Sequence, residues 1–140
     1  MVEFSRRIER EQGSDFKVLI VDDSQENQVE TAAVVGKLGM TDVLKATGAF
    51  EALMAIRKGG IRLVLLDDQL GSGMTGGDIL ARVANWVEGG IIKKEDLPVF
   101  VGISATSKFD GLIPNVEKGR NFQVNLEGQL RSMMENGSGK

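Results

Sequence analysis

Two short apolar runs, far apart in the chain, each end in a pair of aspartates. Residues 17–21 are followed by Asp22 and Asp23, and residues 63–66 are followed by Asp67 and Asp68. A continuous apolar, β-branched run of this length is typical of a strand covered on both faces, as in a parallel sheet. Parallel strands have their carboxyl ends at the same edge of the sheet, and functional side chains are usually found there. The two runs therefore predict an α/β fold that brings these carboxylates together.

The rest of the chain alternates between strand-like and helix-like segments, which predicts a doubly wound sheet of five parallel strands. In the helix predicted at 25–38, Val29 and Val35 lie on the apolar face and Gln28 lies on the polar face. In the helix predicted at 49–58, Phe50 and Met54 are among the apolar residues.

The predicted strands are residues 17–21, 43–46, 63–66, 99–103, with Ser104 at its end, and 121–124. The remaining predicted helices are one through Ile79, Val83 and Val87, a weak one at 107–119 that is interrupted by Pro114, and a last one through Leu126, Leu130, Met133 and Met134.

Composition limits the chemistry more than it limits the fold. The chain has 140 residues, 41% of them hydrophobic, which suits one domain. We expect a polar extension at 1–15, the domain at 16–136 and a disordered tail at 137–140. The absence of cysteine and histidine excludes disulfides, thiolate or imidazole zinc sites and Ser-His-Asp catalysis. With a net charge of -3 and no long apolar run, we expect a cytoplasmic protein without direct nucleic acid or membrane binding.

The predicted carboxylate cluster needs a counter-charge. Two carboxylates about 4 Å apart repel by about 4 kcal/mol at a typical effective dielectric constant. Such a group binds either a proton or a cation, and oxygen ligands without His or Cys favour Mg²⁺. The alternative is that strand-end aspartates are simply solvated loop residues. Two Asp pairs, each directly after a buried strand, favour a Mg²⁺ site that includes Asp22, Asp23 and Asp67.

Three segments resemble the receiver domains of response regulators, and most closely those of chemotaxis-regulator type. Residues 18–23 read Val-Leu-Ile-Val-Asp-Asp, residues 63–67 read Leu-Val-Leu-Leu-Asp, and residues 101–105 read Val-Gly-Ile-Ser-Ala. Their order and the 44 positions between Asp23 and Asp67 are similar to the family's pattern. The resemblance covers residues 17–105 well and 106–136 poorly. It implies a flavodoxin-like fold with strand order 2-1-3-4-5.

The resemblance also implies a phosphotransfer site. A histidine kinase or phosphotransfer protein would donate a phosphoryl group to Asp67, and the modified domain would act on a downstream protein partner. Asp23 would bind Mg²⁺ directly, Asp22 through water, and Gln69 through its backbone carbonyl. Such a domain is not an enzyme beyond its own phosphorylation and dephosphorylation.

Two assignments within this scheme have alternatives. Counting forward from Asp23 gives Asp67 as the acceptor, whereas counting back from Gly76 gives Asp68. Neighbours on a strand point to opposite sides, so one of the two faces the site. Ser104 and Phe122 would be the switch residues; otherwise the Ser104 hydroxyl would simply bond nearby backbone.

The sequence departs from the family at strand five, where receivers carry a lysine. Residues 121–127 contain neither Lys nor Pro, and Asn125 falls nearest that position. The sequence thus predicts an atypical receiver that lacks this lysine. The alternative is that Lys108 or Lys118, from the irregular region before residue 121, takes its place in the site. One alternative function is a pseudo-receiver that binds partners without phosphorylation. Another is nucleotide binding by the Gly-x-Gly-x-x-Gly loop at 71–76.

Overall fold

The computed structural model describes residues 17–68, 70, 74–104 and 113–138. Within them, five strands form one parallel sheet in the order β2-β1-β3-β4-β5, which confirms the predicted fold class. The strands are β1 (Lys17–Val21), β2 (Asp42–Ala46), β3 (Ile61–Asp67), β4 (Val99–Ser104) and β5 (Asn115–Glu117). The α-helices are α1 (Gln25–Lys37), α2 (Ala49–Lys58), α3 (Gly76–Glu88) and α4 (Phe122–Ser138), with a short 3-10 helix at Lys94–Asp96.

Apolar residues cover both faces of the sheet because the central strands alternate their side chains between two cores. On one face, Val18, Ile20 and Leu65 pack with residues of α1 and α4. On the other face, Leu19 and Leu66 pack with residues of α2 and α3. The first, third and fourth strands are therefore apolar at nearly every position, which explains why they were predictable.

The prediction of which face of α1 is buried is wrong, because the helix is rotated about its axis relative to the predicted orientation. Gln28 is 4% exposed, whereas Val29 is 61% exposed. The buried residues of this helix are Gln28, Thr31, Val34 and Val35. The cause is tertiary hydrogen bonding, because the side-chain amide of Gln28 donates to backbone carbonyls inside the fold. In α2, Phe50 and Met54 are likewise exposed rather than buried.

The last part of the chain also differs from the prediction. Strand β5 lies at Asn115–Glu117, where Asn115 pairs with Gly102 of β4, and not at 121–124. The apolar residue Phe122 instead begins α4, and its side chain joins the core between α1 and α4. Pro114 precedes β5 rather than interrupting a helix at 107–119; residues 107–112 of that predicted segment lie outside the described residues.

The C-terminal helix runs to Ser138, two residues beyond the predicted domain boundary at 136. The predicted extension at 1–15 and residues 139–140 lie outside the described residues. Among the helices that are described, we find none that combines the length and the apolar character needed to span a membrane.

Candidate functional site

Three carboxylates meet at the edge of the sheet where β1 and β3 end. The registry places Val21 beside Leu66, so the next residues of the two strands, Asp22 and Asp67, are neighbours. One carboxylate oxygen from each of Asp22, Asp23 and Asp67 lies within 4.8 Å of the other two. Asp22 and Asp67 are each 3% exposed, and Asp23 is exposed to solvent. The structure thus brings together the three acidic residues that the sequence singled out.

Asp68 does not belong to this cluster of carboxylates. Side chains alternate along β3, so Asp67 follows the parity of Leu63 and Leu65 and shares their side of the sheet with Asp22. Asp68 is also buried, but its backbone is tied to β4 and to the start of α3, by bonds to Ile103 and Gly76. Of the two neighbours, Asp67 therefore faces the other carboxylates.

The loop between β1 and α1 fixes Asp22. The backbone N–H of Ser24 donates to Asp22 Oδ1 over 2.9 Å. Ser24 is also the N-cap of α1, and its hydroxyl oxygen accepts from the N–H of Asn27. A serine at this position is a frequent helix start because it satisfies a backbone N–H that the helix leaves unpaired. The same short turn therefore starts the helix and orients a carboxylate.

Burial makes the carboxyl group of Asp22 a weaker acid than an ordinary aspartate. Removing its carboxyl group from water raises the pKa above the ordinary value of 3.8, and the nearby charges of Asp67 and Asp23 act in the same direction. The hydrogen bond from Ser24 and the charge of Lys118 oppose this rise in the pKa. The carboxyl group is therefore held in a place where a cation would improve its electrostatic environment.

Lys118 supplies a positive charge that was predicted to be missing. It directly follows β5, and its Nζ lies 2.9 Å from Asp67 Oδ1 and 3.7 Å from Asp22 Oδ2. Its backbone N–H donates to the carbonyl of Ser104, which holds it beside the end of β4. The prediction of a receiver without a strand-five lysine is wrong, because strand five lies before residue 118. Asn125, the predicted substitute, lies in the first turns of α4 instead.

Ser104 ends β4 as predicted and is buried. Its hydroxyl donates to Oδ1 of Asn115 on β5, over 3.1 Å. Phe122 was expected beside it on strand five, but this residue begins α4. It lines a cavity of about 140 Å³ next to Asp22 and Lys118. The hydroxyl of Ser104 therefore contacts the polar side chain of Asn115 on β5, a residue that was not among the predicted site residues.

Other candidate residues lie partly or wholly outside the described ranges. Gln69, the proposed carbonyl ligand, is one, and residues 71–73 of the glycine loop are also outside them. The described end of that loop forms a capping box, in which Thr75 and Asp78 bond each other's backbone at the start of α3. A capping box is a sufficient structural reason for these residue types.

The donor set fits Mg²⁺. The three candidate ligands offer only carboxylate oxygens, and they come from the ends of two rigid strands. Mg²⁺ prefers such hard ligands and keeps several of its waters, so an exposed group such as Asp23 suits it. The ammonium of Lys118 already partly offsets the negative charge of the cluster. The cluster therefore has the chemistry of a weak divalent cation site.

No protein-family model matches the sequence, and no curated protein matches it. Solved structures do resemble the fold. A CheY-like response regulator receiver domain from Methylobacillus flagellatus matches with a TM-score of 0.67 and 20% identity, over 84% of this chain and 98% of that one.

Two complexes contain similar chains. One is the CheX–CheY–BeF₃–Mg²⁺ complex from Borrelia burgdorferi, with a TM-score of 0.68 and 20% identity over 89% of this chain and 96% of that one. The other pairs the Saccharomyces cerevisiae histidine phosphotransfer signalling protein Ypd1 with the receiver domain of Ssk1. It also gives a TM-score of 0.68 and 20% identity, over 89% and 90% of the two chains. At this level of identity the likeness concerns architecture, and the chain has the receiver-domain fold of response regulators.

Proposed function

We propose that this chain is a two-component signalling receiver that accepts a phosphoryl group on Asp67 and then acts on a protein partner. One observation carries the proposal: the Asp67 carboxylate lies within 4.8 Å of two other carboxylates and 2.9 Å from the ammonium of Lys118. A lone solvated aspartate needs no such surroundings. A carboxylate that becomes an acyl phosphate needs positive charge on more than one side, because the transferred group spreads negative charge over three oxygens.

The residues divide the work of the transfer. An oxygen of Asp67 attacks phosphorus and forms the acyl phosphate, while the bond from phosphorus to the donor's imidazole nitrogen breaks. Asp22 and Asp23 hold the cation site next to the point of attack. Mg²⁺, when bound there, supplies charge that offsets the phosphoryl oxygens. Lys118 is free to exchange its bond with Asp67 for one with a phosphoryl oxygen. Catalysis of this kind consists of positioning and electrostatic stabilisation.

The partners follow from the same proposal. A phosphohistidine protein is the natural donor, since the chain itself contains no histidine. The likeness to a receiver domain bound to a histidine phosphotransfer protein supports a donor of this class. The likeness to a CheY with bound beryllofluoride and Mg²⁺ supports the proposed ligands of the site. In this scheme the chain has no separate substrate to turn over and is not an enzyme in that sense.

A pseudo-receiver that works without phosphorylation was the main alternative. It was based on the expected absence of a strand-five lysine and on Pro114 inside a predicted helix. Lys118 bonds Asp67, and Pro114 is an exposed residue before β5, so neither reason stands. The phosphoaccepting receiver is therefore the function that the site favours.

Beryllofluoride tests the proposal because it mimics a phosphoryl group on a carboxylate and needs no donor protein. Amide NMR spectra would be recorded with Mg²⁺, with and without beryllofluoride, for wild type, Asp67→Asn and Asp68→Asn. We expect saturable shifts in wild type and in Asp68→Asn, and none in Asp67→Asn. Wild-type spectra that do not change at millimolar Mg²⁺ and beryllofluoride would overturn the proposal.

A further inference from the structure

Gln28 is a buried amide on a helix face that the sequence pattern assigned to solvent. It is 4% exposed and lies at the end of the first turn of α1, close to the loop that carries Asp22 and Asp23. A buried amide is tolerated only where its hydrogen-bonding groups have partners. The partners of Gln28 therefore indicate what the residue does.

Both partners are strand ends next to the carboxylate cluster. Nε2 of Gln28 donates to the backbone carbonyl of Asp22 over 2.8 Å and to that of Ala46 over 3.2 Å. An amide NH₂ has two hydrogens, and these two bonds use both. Asp22 directly follows the last residue of β1, and Ala46 is the last residue of the neighbouring strand β2. The carbonyl of Ala46 also accepts from the N–H of Asp22, over 3.0 Å. One side chain thus joins α1 to both strands at the point where the acidic loop begins.

The same residue closes the loop at its other end. The backbone N–H of Gln28 donates to the carbonyl of Ser24, over 3.0 Å. The N–H of Ser24 in turn donates to the Asp22 carboxylate. Both the main chain and the side chain of Gln28 therefore hold the three-residue loop from Asp22 to Ser24. With its carbonyl, its N–H and its carboxylate each bonded, Asp22 has little freedom to change its dihedral angles.

We propose that Gln28 is a positioning residue for the cation site, which it serves by fixing the backbone that carries Asp22 and Asp23. The inference rests on the proposed function. Mg²⁺ demands near-ideal octahedral geometry, so its affinity depends on how well the ligand directions are held. Residues that orient metal ligands without touching the metal typically change its affinity by about 10-fold to 100-fold when they are replaced. Gln28 reaches the ligands through main-chain atoms and acts in this indirect way.

The test separates positioning from plain stability. Gln28→Met keeps an unbranched side chain of similar length but has no donor. Val34→Ala removes a buried methyl pair from the same helix, away from the loop. Two quantities are measured for each protein: the free energy of unfolding in EDTA, and the Mg²⁺ dissociation constant from shifts of the Asp23 and Ser24 amides. We expect Gln28→Met to raise the dissociation constant about 10-fold, and Val34→Ala to leave it within about twofold of wild type.

Two results would overturn the inference, and they are distinguishable. If wild type binds Mg²⁺ and Gln28→Met binds it equally well, Gln28 is only structural while the proposed function stands. If wild type itself shows no Mg²⁺-dependent shifts, the proposed function fails together with this role. Should Gln28→Met not fold, Gln28→Asn replaces it. Its shorter side chain keeps the amide but does not reach both carbonyls, so the same rise in the dissociation constant is expected and its absence overturns the role.

Discussion

Lys118 Nζ lies 2.9 Å from Oδ1 of Asp67, although 51 positions separate the two residues in the chain. The contact joins the end of β3 to the end of β5, across the intervening strand β4. It leaves the lysine 30% exposed at its side chain and the aspartate almost fully buried. The ammonium therefore lies at the mouth of the site, close to the carboxylates that would hold Mg²⁺.

The first prediction concerns competition between this ammonium and the metal. Lys118→Met removes the charge and keeps the apolar stem. Without metal the variant should be less stable by about 1–2 kcal/mol, because two buried carboxylates lose their nearest cation. With metal it should bind Mg²⁺ roughly fivefold more tightly, since about 1 kcal/mol of charge repulsion disappears. Urea unfolding in EDTA and across a Mg²⁺ series measures both effects.

Lys37→Met is the matched control for that experiment. Lys37 also forms an ion pair, with Glu127, but its side chain is 68% exposed and lies away from the carboxylate cluster. Its replacement should change Mg²⁺ binding very little. Equal Mg²⁺ affinities in wild type, Lys37→Met and Lys118→Met would contradict the idea that Lys118 and Mg²⁺ compete.

The second prediction is that the acyl phosphate forms on Asp67 and not on Asp68. Only Asp67 of this pair belongs to the carboxylate cluster and bonds Lys118. Treatment with acetyl phosphate and Mg²⁺, followed by borohydride reduction, converts the modified aspartate into a stable product that peptide mass mapping locates. Asp68→Asn should still be labelled and Asp67→Asn should not. Label on Asp68 in the wild-type chain would show that the acceptor has been misassigned.

Much of the site was predictable because strand ends are local features. The runs before Asp22, Asp67 and Ser104 are continuous and apolar, so each strand and its last residue could be identified without tertiary information. The positions of these groups relative to each other then followed from the parallel sheet. In this region the sequence pattern and the structure agree, because a strand that is buried on both faces is apolar at nearly every position. Such a run can be recognised from the sequence alone.

Strand five and Gln28 were not predictable, because tertiary contacts decide the structure at both places. Strand β5 is a three-residue edge strand with one buried residue, Val116, so its pattern is weaker than the alternation at 121–124 that begins α4. Gln28 is buried because of carbonyls 6 and 18 positions away, which no periodicity reports. In both cases a tertiary contact overrides the local pattern. The error at strand five is what displaced Lys118 from the predicted site.

The third prediction follows from the raised pKa of Asp22. Burial is the main cause of the shift, so the native protein takes up this proton more readily than the unfolded chain, whose Asp has the ordinary value of 3.8. Between that value and the native pKa, the native state binds more protons. The free energy of unfolding in EDTA should therefore fall as the pH rises through this window, and Asp22→Asn should lack that part of the fall.

Urea unfolding between pH 4 and pH 7 measures this difference. The stability of Asp22→Asn relative to wild type should grow with pH when no metal is present. Saturating Mg²⁺ should reduce the difference at neutral pH, because a bound cation favours the charged carboxylate. A constant difference between the two proteins at all pH values in EDTA would mean that Asp22 titrates alike in both states.

The last prediction concerns the hydrogen bond between Ser104 and Asn115. A hydroxyl has one hydrogen, so Ser104 donates either to Oδ1 of Asn115, as in this structure, or to a phosphoryl group on Asp67. If the proposed switch operates, binding of beryllofluoride must break the bond to Asn115. Asn115→Ala removes the competing acceptor in the free protein. It should therefore raise beryllofluoride affinity by about twofold to fivefold, the equivalent of one neutral hydrogen bond of about 0.5–1 kcal/mol.

Ser104→Ala should lower that affinity, because it removes the donor from the bound state. Glu117→Ala, an exposed change on the same short strand, is the control and should leave the affinity unchanged. An Asn115→Ala variant that binds no more tightly than Glu117→Ala would show that the Ser104 hydroxyl keeps its bond to β5, and that β5 does not respond to the state of Asp67 through this contact.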